Sequence, residues 1–240
     1  MSKNFGILYV ATGNEYRHEA LASIKWLSIT NPNIPIHLIT DKPEKISQNH
    51  RKKITVDTLN ITNYSFDDKI HGMLETPFKK TVFLDTDTLV IQPLTSIFTA
   101  LQYYEIVAAH APVNFNFMWE RTDYPDCLPQ FNTGVIAYNK SPKIESFFMK
   151  WKKCRKNRPE GHDQPTFREA ILKTGVNIGV LSQRYNFRAL FPGIIDKQFF
   201  PVVLHDRQML ERTENQIIEL INSIKSQKRR WVVWRPDVYK

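Results

Sequence analysis

The run Thr81-Val82-Phe83-Leu84 stops abruptly at Asp85-Thr86-Asp87, and no other junction constrains the fold as much. Consecutive apolar residues without alternation fit a strand buried on both faces, as in the middle of a parallel sheet. Open α/β sheets bind ligands in the crevice beyond the C-terminal ends of such strands. In extended backbone, residues i and i+2 face the same side, so Asp85 and Asp87 are expected to aim two hard oxygen ligands at one point. A divalent cation held there is able to clamp a diphosphate. The plainer alternative is a strand end with two solvated aspartates, because a bare D-x-D recurs by chance.

The surrounding pattern agrees with an α/β fold. Gly6–Ala11 reads as a first strand and Glu15–Ser28 as a helix, with Ala20, Leu21, Ile24 and Leu27 at helical spacing and Asn31-Pro32 as the stop. Ile36–Ile39 is the second strand, and a β-α-β opening implies a parallel sheet with a right-handed crossover. Further strands are expected at Ile106–Ala109 and Phe131–Tyr138. Helices are expected at Lys69–Leu74, from the Ser141 cap and Pro142 to about Asn157, after Asp163-Gln164-Pro165, and over the Ile217, Leu220, Ile221, Ile224 stripe. Ala111–Pro129 reads as a long loop. With 240 residues, 42% of them hydrophobic, the chain is long enough for one sizeable core, and a single domain over 1–240 is expected.

The formal net charge of +9 points to an anionic partner: nucleotide phosphates, nucleic acid or an anionic membrane surface. Cys127 and Cys154 make no framework, which fits a reducing compartment. The N-terminal apolar run is too short for a secretion signal and no stretch is long enough to span a bilayer, so the cytoplasm is the expected location.

Five further segments put polar groups where a ligand would want them. Thr12-Gly13-Asn14-Glu15-Tyr16 follows the first strand and opens a helix, a ready nucleotide site, or an ordinary cap by Asn14. The dinucleotide fingerprint G-x-G-x-x-G is absent. Lys69 lies one helix and one turn before Asp85 and is placed either to reach a phosphate or to be a solvated helix lysine. Gln130-Phe131-Asn132-Thr133-Gly134-Val135 is a candidate ligand-facing strand. In Gly161-His162-Asp163-Gln164, Asp163 is either a helix cap or a functional carboxylate. Val202-Val203-Leu204-His205 ends in an imidazole that is either structural, as a lone His commonly is, or able to complete a metal site with Asp85 and Asp87, favouring Mn²⁺ over Mg²⁺ or Ca²⁺.

Taken in order from Tyr9 to His205, these segments resemble the GT-A nucleotide-sugar glycosyltransferases, most closely the retaining, glycogenin-like group that includes bacterial lipo-oligosaccharide galactosyltransferases. The resemblance implies a Rossmann-like single domain with a mostly parallel central sheet flanked by helices, and a metal, Mn²⁺ or Mg²⁺. It implies that Thr12, Asn14 and Tyr16 touch the nucleoside of a UDP-sugar, that Asp85 faces the ribose, and that Asp85, Asp87 and His205 hold the metal. Lys69 would lie near the donor phosphates or sugar, Asn132, Thr133 and Gly134 would face the sugar, and Asp163 and Gln164 would lie beneath its anomeric carbon. The group's late His is followed by a Gly and a Lys-Pro-Trp segment. Here His205-Asp206-Arg207-Gln208 departs from it, and Arg207 is the candidate phosphate donor in its place.

The implied reaction is sugar transfer from the nucleotide diphosphate to a hydroxyl of a glycan or lipid-linked acceptor, lying under the Ala111–Pro129 loop, whose Phe115, Phe117 and Trp119 suit sugar rings or the core. A sugar-phosphate nucleotidyltransferase would share sheet and metal but should carry a Gly-rich loop after the first strand. A non-enzymatic binder of nucleic acid or membrane would draw on the basic run Lys143 to Arg158, although such runs are commonly solvated helix faces. Nucleic acid is not the expected partner. The C-terminal helix and basic-aromatic tail, 213–240, hold Trp231 and Trp234 among Lys225, Lys228, Arg229, Arg230, Arg235 and Lys240. That composition fits either an anchor at the inner membrane face or a last strand packed on the core.

Overall fold

The structure, a computed structural model, describes residues 3–60, 64–112, 130–157 and 162–235. Its opening unit is β1 (Lys3–Ala11), α1 (Asn14–Thr30) and β2 (Ile36–Thr40), followed by a short helix α2 (Gln48–Arg51) and an edge strand β3 (Thr55–Thr58). Helix α3 (Asp67–Leu74) leads into the aspartate strand β4 (Phe78–Leu84), and a turn then carries the chain to β5 (Thr88–Val90), α4 (Thr95–Ala100) and β6 (Ile106–His110). Next come β7 (Phe131–Asn139), α5 (Pro142–Lys156), α6 (Asp163–Thr174) and β8 (Ile178–Leu181). The last part holds β9 (Phe187–Arg188), β10 (Gly193–Asp196), β11 (Val203–His205), α7 (Arg207–Leu210), α8 (Glu214–Ser226) and β12 (Trp231–Trp234).

Seven strands form the main sheet in the order β3-β2-β1-β4-β7-β6-β8. Its neighbours run parallel except at β7, which is antiparallel to both β4 and β6. The aspartate strand therefore has a parallel neighbour on one side only, although the sheet is mostly parallel as expected. Along β4, Val82 and Leu84 enter the core under α1, with Ala20, Ile24 and Leu27. Phe83 points the other way, into the core formed with α3, α5 and α6. Apolar residues on both faces of a pleated strand remove the alternating sequence pattern, which is why β4 reads as a continuous run.

Helix α5 starts as its sequence predicts: the Ser141 side chain accepts from the Ile144 N–H, and Pro142 occupies the first turn. Its apolar face buries Phe147, Phe148 and Trp151, and Trp151 meets Phe167 of α6 edge-on with ring centroids 4.8 Å apart. Truncating Trp151 to Ala would cost about 3–5 kcal/mol. A third cluster packs β5, β9–β12 and α8 around Leu204, Ile217 and Val232.

The tail pairs antiparallel with β10, buries Val232, and donates the Trp234 Nε1–H to the Ala189 carbonyl at 2.8 Å. Trp231–Trp234 is thus a packed last strand, the plainer of its two readings. Among the described residues no helix is long and apolar enough to cross a membrane. Cys154 is buried in α5. Cys127, Gly161, and the loop aromatics Phe115, Phe117, Trp119 and Tyr124 lie outside the described residues.

Candidate active site

The site forms where β1 and β4 end. Asp85 is the first residue beyond β4, and its N–H donates to the Gly134 carbonyl at 2.8 Å, extending the ladder with β7 by one bond. The chain then turns: Thr88 closes back on the Asp85 carbonyl through its N–H and, at 2.7 Å, through its hydroxyl. Asp85 and Asp87 converge because of this turn rather than because of a strand pleat, which corrects the geometric expectation while keeping its outcome. β5 pairs with β11 in the register His205↔Thr88, which carries the imidazole to the same point. His205 Nε2 lies 3.1 Å from Asp87 Oδ1 and 3.9 Å from Asp85 Oδ2. One ligand atom from each of the three residues falls within 4.8 Å of the others, so the group can hold a metal ion. Cis donors of an octahedral ion stand about 3 Å apart at metal–donor distances of about 2.1 Å, so two carboxylates and an imidazole at these spacings fit a divalent cation.

Gly134 makes room for the imidazole. A Cβ on Gly134 would lie 2.0 Å from His205 Cε1, so only glycine lets the ring seat there. The hydrogen bonds behind the ring form one chain. The Gly134 N–H donates to Asn132 Oδ1 at 2.9 Å, Asn186 Nδ2 donates to the same oxygen at 2.8 Å, and Asn186 Oδ1 lies 2.7 Å from His205 Nδ1.

A second set of charges joins this centre through Lys69. Its ammonium is buried, 2.5 Å from Asp163 Oδ2 and 3.5 Å from Asp85 Oδ1, and donates to Thr133 Oγ1 at 3.1 Å. Thr133 in turn donates to Asp163 Oδ2 at 2.7 Å. Burial works against the Lys69 charge, but the Asp163 and Asp85 carboxylates outweigh it and raise the Lys69 pKa. Burial also pushes Asp163 up, but Lys69, Thr133 and Arg155 leave its carboxyl below the usual range, hence ionised. Asp85 moves the opposite way: burial, with Asp87 and Asp163 nearby, raises it despite Lys69 and His205. Asp87 resists burial through His205 and Arg188 and falls well below the carboxylate range.

Asp163 is not a helix cap. It is the first residue of α6, preceded by His162 at the cap position, and its carboxylate turns to Thr133 and Lys69. Trp151 Nε1 donates to the Asp163 carbonyl at 3.2 Å and pins that helix start to the core. Gln164 follows it, and among the described residues its buried Oε1 has no hydrogen-bond partner. The buried Asn132 Nδ2 is likewise unpartnered among them. Buried polar atoms left so are costly. Neither residue lines the cleft that opens at Lys69, Asp85 and Asp87.

That cleft, of about 560 Å³, is lined by Thr12, Tyr16, Lys69, Asp85, Asp87 and Arg207 among others. Thr12 donates to Asp68 Oδ2 at 2.8 Å, tying the end of β1 to α3. Gly13, at φ +88°, occupies the cap position of α1, so Asn14 is the first helical residue, exposed and not a cap. Arg207 stands over the Tyr16 ring at 5.6 Å but pairs with Glu19 and, at 3.4 Å, with Glu15, so its charge is already met within the protein.

Sequence reasoning passed over Asp41, Arg155 and Asn186. Asp41 accepts from the Gly13 N–H at 3.1 Å and from Tyr64 at 3.2 Å, and pairs with Arg17. Arg155 is buried beside the cleft, its Nε 3.0 Å from Asp67. Its position on the buried stripe of α5, one turn after Trp151, was a readable signal inside the lysine-rich run.

The glycosyltransferase GlyE of Streptococcus pneumoniae TIGR4 superposes with a TM-score of 0.61 at 16% identity, over 95% of this chain and 61% of that one. The galactosyltransferase LgtC, in complex with donor and acceptor sugar analogues, gives 0.60 at 17% identity, over 91% of this chain and 95% of that one. Mouse xyloside xylosyltransferase 1 gives 0.56 at 14% identity, over 88% and 100%. This chain therefore spans about three fifths of the length of GlyE. At such identities the likeness establishes the fold, which is GT-A. No curated protein sequence matches the chain significantly. A family profile described as "Mannosyltransferase putative" matches residues 4–149, more than half of the chain, and the chain belongs to that family of glycosyltransferases.

Proposed function

We propose that this enzyme moves a hexosyl group from a nucleotide diphosphate sugar, UDP-linked, to a hydroxyl of a glycan or lipid-linked acceptor, with a divalent metal and with retention. The observation that carries this reading is the continuous array Asp87–His205–Asp85–Lys69–Asp163, which joins a metal-competent trio to a buried ionised carboxylate. Asp85, Asp87 and His205 would hold the ion, Mn²⁺ in preference to Mg²⁺ because of the imidazole. Bound there, it would supply Lewis-acid stabilisation of the charge growing on the departing diphosphate. Lys69 holds Asp163 ionised, and Asp163 offers negative charge to an oxocarbenium-like sugar. Thr12 and Tyr16 bind the nucleoside at the mouth of the cleft. Asn132 and Gln164 give their unpartnered amide groups to the sugar hydroxyls. Because Arg207 is occupied by Glu19, it acts by shaping the Tyr16 wall more than by gripping phosphate. The cytoplasm is the compartment assigned in this reading, consistent with a buried free thiol at Cys154.

The test is nucleotide release from a panel of UDP- and GDP-sugars with Mn²⁺ and with Mg²⁺, mannosyl donors included because of the family's description. Metal-dependent release from a UDP-sugar is expected, and release from GDP-sugars alone would overturn the nucleotide assignment. Peripheral contact with an anionic bilayer is a second reading with one observation in its favour. Ile194, Trp231 and Val233, on β10 and β12, are each more than half exposed, next to Lys228 and Arg229. Trp231→Ser/Val233→Ser should lose co-sedimentation with anionic vesicles, and equal partitioning of both chains would remove the reading.

A further inference from the structure

We propose that Asn186 is a positioning residue that fixes the tautomer of His205 and so presents the Nε2 lone pair to the metal, an assignment that rests on the metal reading given above. The polarity of the chain behind the imidazole has one solution. A backbone N–H can only donate, so the Asn132 atom 2.9 Å from the Gly134 nitrogen is its carbonyl oxygen. That oxygen can only accept, so the Asn186 atom 2.8 Å from it is the amide nitrogen. The other end of the Asn186 amide is then an oxygen, and His205 Nδ1, 2.7 Å away, must carry the proton. In the neutral ring this leaves Nε2 as the lone pair, and Nε2 is the atom 3.1 Å from Asp87 Oδ1. In the neutral ring that lone pair faces a carboxylate oxygen, a contact that only positive charge relieves: a second ring proton in the metal-free chain, or a divalent ion in its place.

The backbone of β7 therefore sets the protonation pattern of a ring on β11 through two amides. All three side chains are buried, so water does not offer the ring an alternative partner. Gly134 serves twice: its N–H starts the chain, and its missing Cβ leaves the space that the imidazole fills. Ligating histidines are commonly oriented through their second nitrogen, and loss of such a partner typically costs about 10–100-fold in metal affinity.

The experiment uses the full chain, free of metal and labelled with ¹⁵N-histidine, at a pH where the ring is neutral. The His205 signals are identified by their loss in His205→Gln. The unaltered chain should show the Nδ1–H tautomer, and Mn²⁺ calorimetry without nucleotide should show one site. Asn186→Leu removes the acceptor and should mix the tautomers while weakening Mn²⁺ about 10–100-fold. Asn186→Asp keeps an acceptor of the same size toward Nδ1 but can no longer donate to Asn132 Oδ1, so it should retain the Nδ1–H tautomer while loosening the link to β7, and a folded chain with that tautomer separates positioning from a general loss of folding. An Nε2–H tautomer in the unaltered chain would overturn the assignment, as would an unchanged affinity in Asn186→Leu. If the unaltered chain shows the Nδ1–H tautomer but binds no Mn²⁺, the metal reading has failed and the assignment falls with it, while the hydrogen-bond chain itself stands.

Discussion

Helix α3 separates two clefts of opposite character, and Ser65 and Asp68 line both. The cleft of about 560 Å³ holds Lys69, Asp85 and Asp87, with Asp163 buried against Lys69. The groove on the other side is larger, about 1080 Å³, and its wall carries Lys143, Lys150, Lys152, Lys153, Lys156 and Lys173. In the first, Lys69 and Asp163 are buried, Asp85 and Asp87 are half-buried, and the charges are held by one another at fixed distances. In the second, only Lys143 and Lys173 have ion pairs among those described, with Glu105 and Glu169, and most of the ammonium groups stand in water. A fixed, desolvated charge needs no reorganisation when a transition state forms, whereas a solvated lysine on a flexible stem offers mainly long-range attraction. Cavity size and preorganisation therefore point to opposite sides of α3, and the function proposed above follows preorganisation.

The comparison breaks most readily at the metal trio. Asp87→Ala should abolish metal-dependent nucleotide binding in calorimetry and lower turnover by roughly 10³-fold. Turnover within a few-fold of the unaltered enzyme would show that the fixed charges of the smaller cleft are not the working ones.

Asp163→Asn comes next, with turnover expected to fall by roughly 10²-fold. The ion pair with Lys69 makes this a stability change as well, because one partner of a buried pair is lost while Lys69 keeps Asp85 and Thr133. A melting temperature lower by about 3–10 °C is expected on that ground. The pH sign follows from a folded pKa that, in spite of burial, Lys69 and Thr133 hold below the ordinary carboxyl value. A depressed carboxyl contributes stability that is present above its unfolded pKa and is lost as pH falls through the folded one. From about pH 4 downward the unaltered chain should therefore lose stability more steeply than Asp163→Asn, as read by thermal melts across pH. Parallel curves would mean that the Lys69 pair does not hold Asp163 ionised.

Gly134→Ala tests the geometry without touching a charge. The added methyl would sit 2.0 Å from His205 Cε1, so the ring must move. Mn²⁺ affinity should drop about tenfold or more while Asp85 and Asp87 remain. Unchanged affinity would mean that the ring position is not what sets the site.

The sequence made the strand ends readable and left their cross-connections hidden, for physical reasons. Val82-Phe83-Leu84 reads as a strand because burial on both faces leaves a continuous apolar run. Asp85 and His205 are legible because each terminates such a run, and Asp87 because it follows Asp85 at i+2. Lys69 was legible as a functional lysine but not as the link between Asp163 and Asp85, since that link needs α3, α6 and the end of β4 to meet in space. Asn186 carried no signal: its partners are Asn132 and His205, distant in sequence, and it precedes a two-residue strand too short for any period. The turn at Thr86-Asp87 was misread as extended backbone for the same reason, because its shape is set by pairing of β5 with β11.

The smallest effect is expected from the lysine groove. Lys150→Glu/Lys153→Glu reverses two charges on the solvent side of α5, away from the buried stripe that carries Phe147, Trp151 and Arg155. Substitutions of this kind disturb neither packing nor a buried bond, so the melting temperature should move by no more than about 2–4 °C. Nucleotide-sugar hydrolysis should stay within about twofold, because charges in open solvent are screened in physiological salt over a Debye length of roughly 8 Å. The same pair of chains addresses the idea that the basic run is a nucleic-acid surface. Such binding would be steeply salt-dependent and would weaken on reversal of two lysines. Filter binding to single-stranded RNA at two salt concentrations should show the two chains alike. Tight binding at physiological salt that disappears in the double variant, or a tenfold loss of hydrolysis, would make the larger groove a working surface and undo the contrast between the two sides of α3.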